Sequence, residues 1–129
     1  MTDLTAVAVG DFNADGKLDL GVTSNGAIPN SYGPYGVYPG YYIGAVTVLL
    51  GNGAGSFSAP GPTYELGRGY HMSAVVEDFN GDGQDDFASA STESETVAVL
   101  LANPDGSLGF PTYFRAGYPW MLALSLIHI

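Results

Sequence analysis

Cysteine is absent from this chain of 129 residues, and basic side chains are scarce. Without cysteine the chain can form neither disulfides nor thiolate metal sites. Its three basic residues, Lys17, Arg68 and Arg115, stand against 13 acidic residues. No basic patch can form, so we expect neither nucleic acid nor an anionic membrane as a partner. No apolar run reaches the roughly 18 residues that a membrane-spanning helix requires.

Glycine and proline are plentiful, and the apolar residues alternate along several short segments. The 19 glycines and eight prolines suit a turn-rich all-β chain, and no segment has the sustained periodicity of a capped helix. The alternation predicts four strands in each half of the chain. They lie near residues 5–9, 18–23, 45–50 and 57–65, then near 72–76, 86–90, 96–101 and 110–115, with 121–124 opening a further strand.

The two halves repeat one pattern. Residues 6–19 match residues 74–86, and residues 46–56 match residues 97–107. Equivalent residues lie 67 positions apart in the loops of the first match but only 51 positions apart in the second match. The first repeat therefore contains 16 additional residues before position 46. Four strands in a repeat of about 50 residues is the pattern of a β-propeller blade.

We therefore predict an all-β fold, a partial β-propeller of two four-stranded antiparallel blades plus the first strand of a third. Residues 1–66 would form blade one, with an insertion at 26–42, and residues 67–116 would form blade two. Residues 117–129 would begin a truncated third blade. The last six of these, 124–129, resemble the translation of a sequencing adaptor and could be artefactual.

An Asp-rich loop follows the first strand of each repeat. Counted from the first Asp, oxygen-bearing side chains occupy positions 1, 3, 5 and 9, and glycine occupies position 6. Alternating hard oxygen ligands suit calcium, which takes six to eight of them, and the glycine permits a sharp turn. Position 7 would contribute its backbone carbonyl, which leaves its side chain free to vary. The candidate ligands are Asp11, Asn13, Asp15, Lys17 and Asp19 in loop one, and Asp78, Asn80, Asp82, Gln84 and Asp86 in loop two.

This spacing predicts two calcium sites, one per loop, with an acidic turn that holds no metal as the alternative. An EF-hand needs Glu at position 12, where these loops have Val22 and Ser89. The flanking segments are also strand-like rather than helical. Magnesium fits less well than calcium because it demands stricter octahedral geometry.

The motif D-F-N-x-D-G-x-x-D occurs at residues 11–19 and again at 78–86. With V-x-V-L-L-G-N-G-x-G-S-F at 46–57, and a looser copy at 97–108, it resembles the FG-GAP and VCBS repeats of β-propellers related to the integrin α-subunit head. The resemblance implies an exported protein, extracellular, at the cell surface or periplasmic, with calcium between strands one and two of each blade. It also implies that the remaining blades of a complete propeller are partners of this chain.

The insertion at residues 26–42 contains five tyrosines interspersed with Gly and Pro. A segment without an apolar period is expected to be an exposed loop, here joining strands two and three on the face opposite the Asp-rich loops. Tyrosine supplies contact area at low entropic cost, so the insertion predicts recognition of a protein or glycan ligand; a loop without a partner is the alternative. The candidate ligand-binding residues are Tyr32, Tyr35, Tyr38, Tyr41 and Tyr42.

Catalytic signatures do not assemble in this sequence. There is no Ser-His-Asp set and no phosphate-binding loop, and six of the 13 acidic residues are assigned to metal. His71 is expected to pack at the junction between the blades. We therefore expect no enzymatic activity and instead a calcium-binding module for binding or adhesion. A carbohydrate-binding propeller attached to a polysaccharide-active enzyme is the alternative.

Overall fold

The computed structural model describes residues 2–58, 61–91 and 93–115. Every regular element within these residues is a β-strand, which confirms the all-β prediction. The same residues include no helix that is long and apolar enough to cross a membrane. The strands are β1 (Thr2–Gly10), β2 (Asp19–Ile28), β3 (Ser31–Gly33), β4 (Gly36–Tyr38), β5 (Tyr41–Leu49), β6 (Thr63–Arg68), β7 (Val75–Glu77), β8 (Asp86–Ser91), β9 (Thr96–Leu100) and β10 (Thr112–Arg115).

Blade one is a four-stranded antiparallel sheet in the order β1-β2-β5-β6. Its fourth strand begins at Thr63, whereas the sequence predicted a start at position 57. Phe57 forms only an isolated bridge with Gly51, and Pro62 lacks the N–H that a paired strand position uses. Residues 59 and 60, which belong to that predicted strand, lie outside the described residues.

Blade two is a second four-stranded antiparallel sheet, in the order β10-β9-β8-β7. Its strands overlap the four predicted segments, so each repeat forms one blade and the chain has the fold of a partial β-propeller. The predicted first strand of a third blade, within residues 117–129, lies outside the described residues. The domain boundaries at 66 and 116 remain predictions.

The main hydrophobic core lies between the two blades. Phe12 of loop one is fully buried there, and a Cβ added to Gly21 of β2 would lie 3.3–3.4 Å from the rings of Phe12 and Phe87. Burying a phenylalanine side chain contributes about 1.5–3 kcal/mol, so this core fastens loop one to blade two. Its buried members are Phe12, Val46, Val48, Leu66, Phe87, Ala98, Leu100, Ala102 and Leu108.

The insertion at residues 26–42, called here the tyrosine hairpin, is not the irregular loop that the sequence predicted. β2 and β5 continue into it until Ile28 pairs with Tyr41, and β3 then pairs with β4 in a short hairpin. The Asn30 side chain accepts a hydrogen bond from the Gly40 N–H at 2.6 Å and closes the base. Loop one precedes β2 and the tyrosine hairpin follows it, so the two lie at opposite ends of blade one, as predicted.

Candidate metal centre

Loop two brings three carboxylates together. Asp78, Asp82 and Asp86 each place one oxygen within 4.8 Å of the other two. The Asp78 carboxylate accepts hydrogen bonds from the backbone N–H groups of Gly81 and Asp82 through Oδ1 and from that of Gly83, at 2.8 Å, through Oδ2. These bonds turn the loop around the Asp78 side chain, and they lower the pKa of its carboxyl group, with the Gly83 bond as the largest cause.

Loop one has nearly the same hydrogen bonds. Asp11 accepts from the N–H of Asp15 at 3.1 Å and from that of Gly16 at 2.8 Å, and Asp15 accepts from the N–H of Lys17 at 2.8 Å. The side-chain oxygen of Asn13 faces the Asp11 and Asp15 carboxylates, which is the orientation that a shared cation requires, whereas the reversed amide would donate to both carboxylates at 3.1 Å. Among the described residues, only loop two holds three carboxylates within the 4.8 Å distance.

Position 4 differs between the loops in a way that affects the backbone. Gly81 of loop two has a φ of 75°, and Ala14 of loop one has a φ of 58°. The left-handed region costs a residue with a Cβ about 1 kcal/mol more than glycine. Ala14 therefore strains loop one, although it is no side-chain ligand.

The aspartates at position 9 have a structural role that the sequence analysis missed. Asp86 is fully buried, and its two carboxylate oxygens accept the N–H groups of Phe79 at 3.0 Å and Ala102 at 2.8 Å. Burial raises the pKa of the Asp86 carboxyl group. Asp19 is bonded in the same way to Phe12 and Gly51. Each of these aspartates thus ties its loop to the turn between the third and fourth strands of its own blade.

Position 7 was expected to have a side chain free to vary. Lys17 has an exposed side chain, but Gln84 makes two hydrogen bonds with its amide nitrogen. Gln84 Nε2 donates to the backbone oxygen of Phe12 at 2.8 Å and to that of Asn103 at 2.6 Å. The Gln84 side chain therefore joins loop two to loop one. Carbonyl ligation by Lys17 and Gln84 remains a prediction.

Asp85 connects the two loops directly. Its Oδ2 accepts a hydrogen bond from the Asp11 N–H at 2.8 Å, and its own N–H donates to the Asp11 carbonyl at 3.0 Å. The sequence analysis did not assign Asp85 to the site, since it lies at position 8, between ligand positions. One signal was present: position 8 is Leu18 in loop one, so the repeats differ there.

The tyrosine hairpin exposes aromatic surface at the other end of blade one. Tyr35 is 93% exposed and Tyr32 is 81% exposed, while Tyr38 is about half exposed. Tyr41 and Tyr42 lie apart from these three, at the base of the hairpin. The Arg68 guanidinium lies 3.8 Å from the centre of the Tyr41 ring. Tyr42 meets Tyr70 edge to face at 5.1 Å between ring centres.

His71 packs at the blade junction, as expected, and is fully buried. Asn25 of β2 binds its backbone on both sides, since Oδ1 accepts the His71 N–H and Nδ2 donates to the His71 carbonyl, each at 3.0 Å. His71 Nδ1 lies 3.2 Å from Ser89 Oγ, and that hydroxyl donates to the Ser73 carbonyl. Nδ1 must then carry the proton in the neutral ring. Burial lowers the pKa of His71 to about 4.

A comparison with protein-family models supports the same interpretation of the repeats. Residues 35–89 match the model of the FG-GAP-like repeat. This chain contains an FG-GAP-like repeat. The match begins in the tyrosine hairpin, includes β5, β6, β7 and loop two, and ends in β8. A search of curated proteins found no match.

Proposed function

We propose that this chain is a calcium-binding, non-enzymatic binding module of an exported protein. The observation that carries the proposal is the loop-two cluster, in which Asp78, Asp82 and Asp86 each offer an oxygen within 4.8 Å of the others. Carboxylates at this spacing repel one another in a chain whose net charge is -10. A bound cation would remove that repulsion.

The donor set favours calcium over other cations. All the candidate side-chain ligands offer oxygen, and calcium takes six to eight oxygen ligands in a flexible arrangement. Asp86 uses one acceptor position on each oxygen for the backbone bonds described above, and a carboxylate has about four such positions. It can therefore keep its structural role and still face a cation. Calcium-binding extracellular modules have dissociation constants of about 0.1–1 mM, and we expect the affinity of this chain to lie in that range.

Thermal unfolding with calcium, magnesium or a chelator tests this proposal. At a calcium concentration about 100 times the dissociation constant, one site adds about 2.7 kcal/mol to the free energy of unfolding. We expect calcium to raise the midpoint more than magnesium does. Asp82→Asn removes one ligand charge but keeps an oxygen for the Gln84 N–H, so it should reduce the calcium response.

Asp105→Asn is the matched control, because it also removes one exposed carboxylate charge and lies outside both loops. It should respond to calcium as the unchanged chain does. The proposal would be refuted if the chain folds and calcium does not change the midpoint of its thermal unfolding. Equal calcium responses of the Asp82→Asn and Asp105→Asn variants would exclude loop two as the site.

We also propose that the tyrosine hairpin is the surface that contacts a ligand. It contains no charged residue, and its base is held by the Gly69 N–H, which donates to the Tyr42 carbonyl at 2.8 Å. The Arg68–Tyr41 and Tyr70–Tyr42 ring contacts fix the base further. The rings of Tyr32 and Tyr35 are therefore presented on a paired hairpin rather than on a loose loop, which lowers the entropic cost of binding.

A carbohydrate-binding role is the second candidate, and the neutrality of the hairpin favours it. An uncharged aromatic surface on a strongly acidic chain suits a neutral glycan, whose sugar rings stack on aromatic faces. A protein ligand with an apolar contact patch is the other candidate ligand. Screening of glycans and of candidate surface proteins would separate the two.

The deletion that tests the hairpin is defined by its register. Ile28 and Tyr41 are paired across the sheet, so an Asn-Gly turn can replace residues 29–40 and close the two strands. We expect the calcium-dependent midpoint to remain, because the base contacts at Tyr41 and Tyr42 are kept. Affinity for any recovered ligand should fall at least about tenfold, or about 1.4 kcal/mol. Undiminished binding would mean that the recognition surface lies elsewhere.

A further inference from the structure

The two Asp-rich loops touch each other across the blade junction. Asp85, between ligand positions of loop two, holds both sides of the Asp11 peptide backbone: its Oδ2 accepts the Asp11 N–H at 2.8 Å and its N–H donates to the Asp11 carbonyl at 3.0 Å. Gln84, the residue before it, donates from Nε2 to the Phe12 carbonyl at 2.8 Å. The start of loop one therefore rests on one short segment of loop two.

That segment is enclosed by candidate ligands of loop two. Residues 84 and 85 lie between Asp82 and Asp86, so a cation bound by those two side chains would restrict the intervening backbone. Asp11 is the first candidate ligand of loop one, and its carboxylate accepts the N–H groups that shape loop one. Restricting residues 84 and 85 would therefore hold the backbone of Asp11 in position before a cation binds to loop one.

This contact does not follow from the turn geometry that the two loops share. The positions equivalent to Gln84 and Asp85 are Lys17 and Leu18 in loop one. Leu18 has no carboxylate and is 64% exposed. Two of the three hydrogen bonds, those of Asp85 Oδ2 and Gln84 Nε2, thus depend on side chains that only loop two has.

We propose that the two loops bind calcium with positive cooperativity, transmitted by the hydrogen bonds of Asp85 and Gln84 to the start of loop one. This inference rests on the proposed calcium function. Binding at either loop lowers the ordering cost at the other, and the thermodynamic coupling is reciprocal. Coupling between sites typically changes an affinity by about five- to 150-fold.

Calcium titration calorimetry of the 129-residue chain and its variants measures the coupling. Asp82→Asn leaves loop one as the working site, and Asp15→Asn leaves loop two. For independent sites, the product of the two stepwise binding constants of the unchanged chain equals the product of the two single-site constants. We expect the unchanged chain to exceed that product at least about fivefold.

A matched pair of variants tests the route. Asp85→Asn and Asp85→Ala remove the same charge, but asparagine keeps a side-chain oxygen that can accept the Asp11 N–H. We expect Asp85→Asn to keep most of the coupling. In Asp85→Ala, the product of the two stepwise binding constants should lie within about twofold of the product of the two single-site constants. Gln84→Ala should weaken the coupling as well.

Three outcomes would overturn the inference, and they are distinguishable. If the product of the stepwise constants of the unchanged chain equals the product of the single-site constants, the sites are independent, and the proposal that the chain binds calcium still stands. Equal loss of coupling in both Asp85 variants would show an effect of charge rather than of the hydrogen bond. A folded chain that takes up no calcium would refute the proposed function, and the coupling with it.

Discussion

Acidification should weaken the junction between the blades through His71. The ring is fully buried, and its side-chain hydrogen-bond partner is the Ser89 hydroxyl, which does not titrate in this range. Burial disfavours the imidazolium and lowers the pKa of His71 from 6.5 to about 4. The neutral ring is therefore the form that the folded state favours.

The sign and size of the effect follow from linkage. Because the folded pKa lies below the unfolded one, the unfolded chain binds the proton first as the pH falls. The contribution to stability is unaffected above about pH 6.5 and declines as the pH falls from 6.5 towards 4. Each tenfold difference in proton affinity is worth about 1.4 kcal/mol, so the full loss is about 3 kcal/mol.

His71→Gln isolates this contribution, because glutamine does not titrate and its amide nitrogen can still donate towards Ser89 Oγ. Urea unfolding of both proteins in chelator, from pH 7.5 to 4.5, gives the difference in free energy at each pH. Other titrating groups are common to both proteins and cancel to first order. We expect the unchanged chain to lose stability relative to His71→Gln as the pH falls below 6.5. Parallel curves would refute a buried neutral His71.

Two further predictions concern the Asp-rich loops, and urea unfolding in chelator checks both. Asp86→Ala should cost about 2–4 kcal/mol even without calcium, because it leaves two backbone N–H groups without their acceptor; Asp82→Ala, at an exposed position, should cost less than about 0.5 kcal/mol. Equal costs would contradict the structural role of Asp86. Ala14→Gly should add about 0.5–1 kcal/mol by relieving the positive φ. Ala54→Gly, whose position has no positive φ, should destabilise instead, and a gain in both variants would refute the strain at Ala14.

Local patterns were sufficient to predict the blades and the loops. The alternation of apolar residues identified the four strands of each blade, and the spacing of the loop residues predicted that Asp78, Asp82 and Asp86 lie close together, as they do. Both patterns act over a few residues, where side-chain direction follows from the backbone alone. The role of Asp86 in holding the Ala102 N–H required knowledge of a turn 16 residues away.

The tyrosine hairpin shows where local patterns fail. Residues 26–42 have no alternation of apolar and polar side chains, so the sequence predicted a loop. Their pairing comes from β2 and β5, which are already aligned by the blade and continue in register to Ile28 and Tyr41. Extension of an existing sheet needs no apolar period of its own, since the blade already holds the two strands side by side and the entropic cost of closing the connecting loop rises only slowly with its length. The exposure of Tyr32, Tyr35 and Tyr38 could be predicted, because a segment without an apolar period is expected to lie at the surface.

Contacts between the blades could have been sought in the differences between the repeats. Whatever a single blade needs must be present in both repeats, so the matching residues describe the blade: they are the candidate loop ligands, which include the buried aspartate at position 9. Positions 7 and 8 do not match, and in loop two they are the residues that bond to loop one. Gln84 and Asp85 can differ from the equivalent residues of loop one because neither is a candidate side-chain ligand. A residue that differs between the repeats and lies beside a candidate metal ligand is therefore a candidate for contact with the neighbouring blade, and Asp85→Ala in the calcium titration tests that reasoning directly.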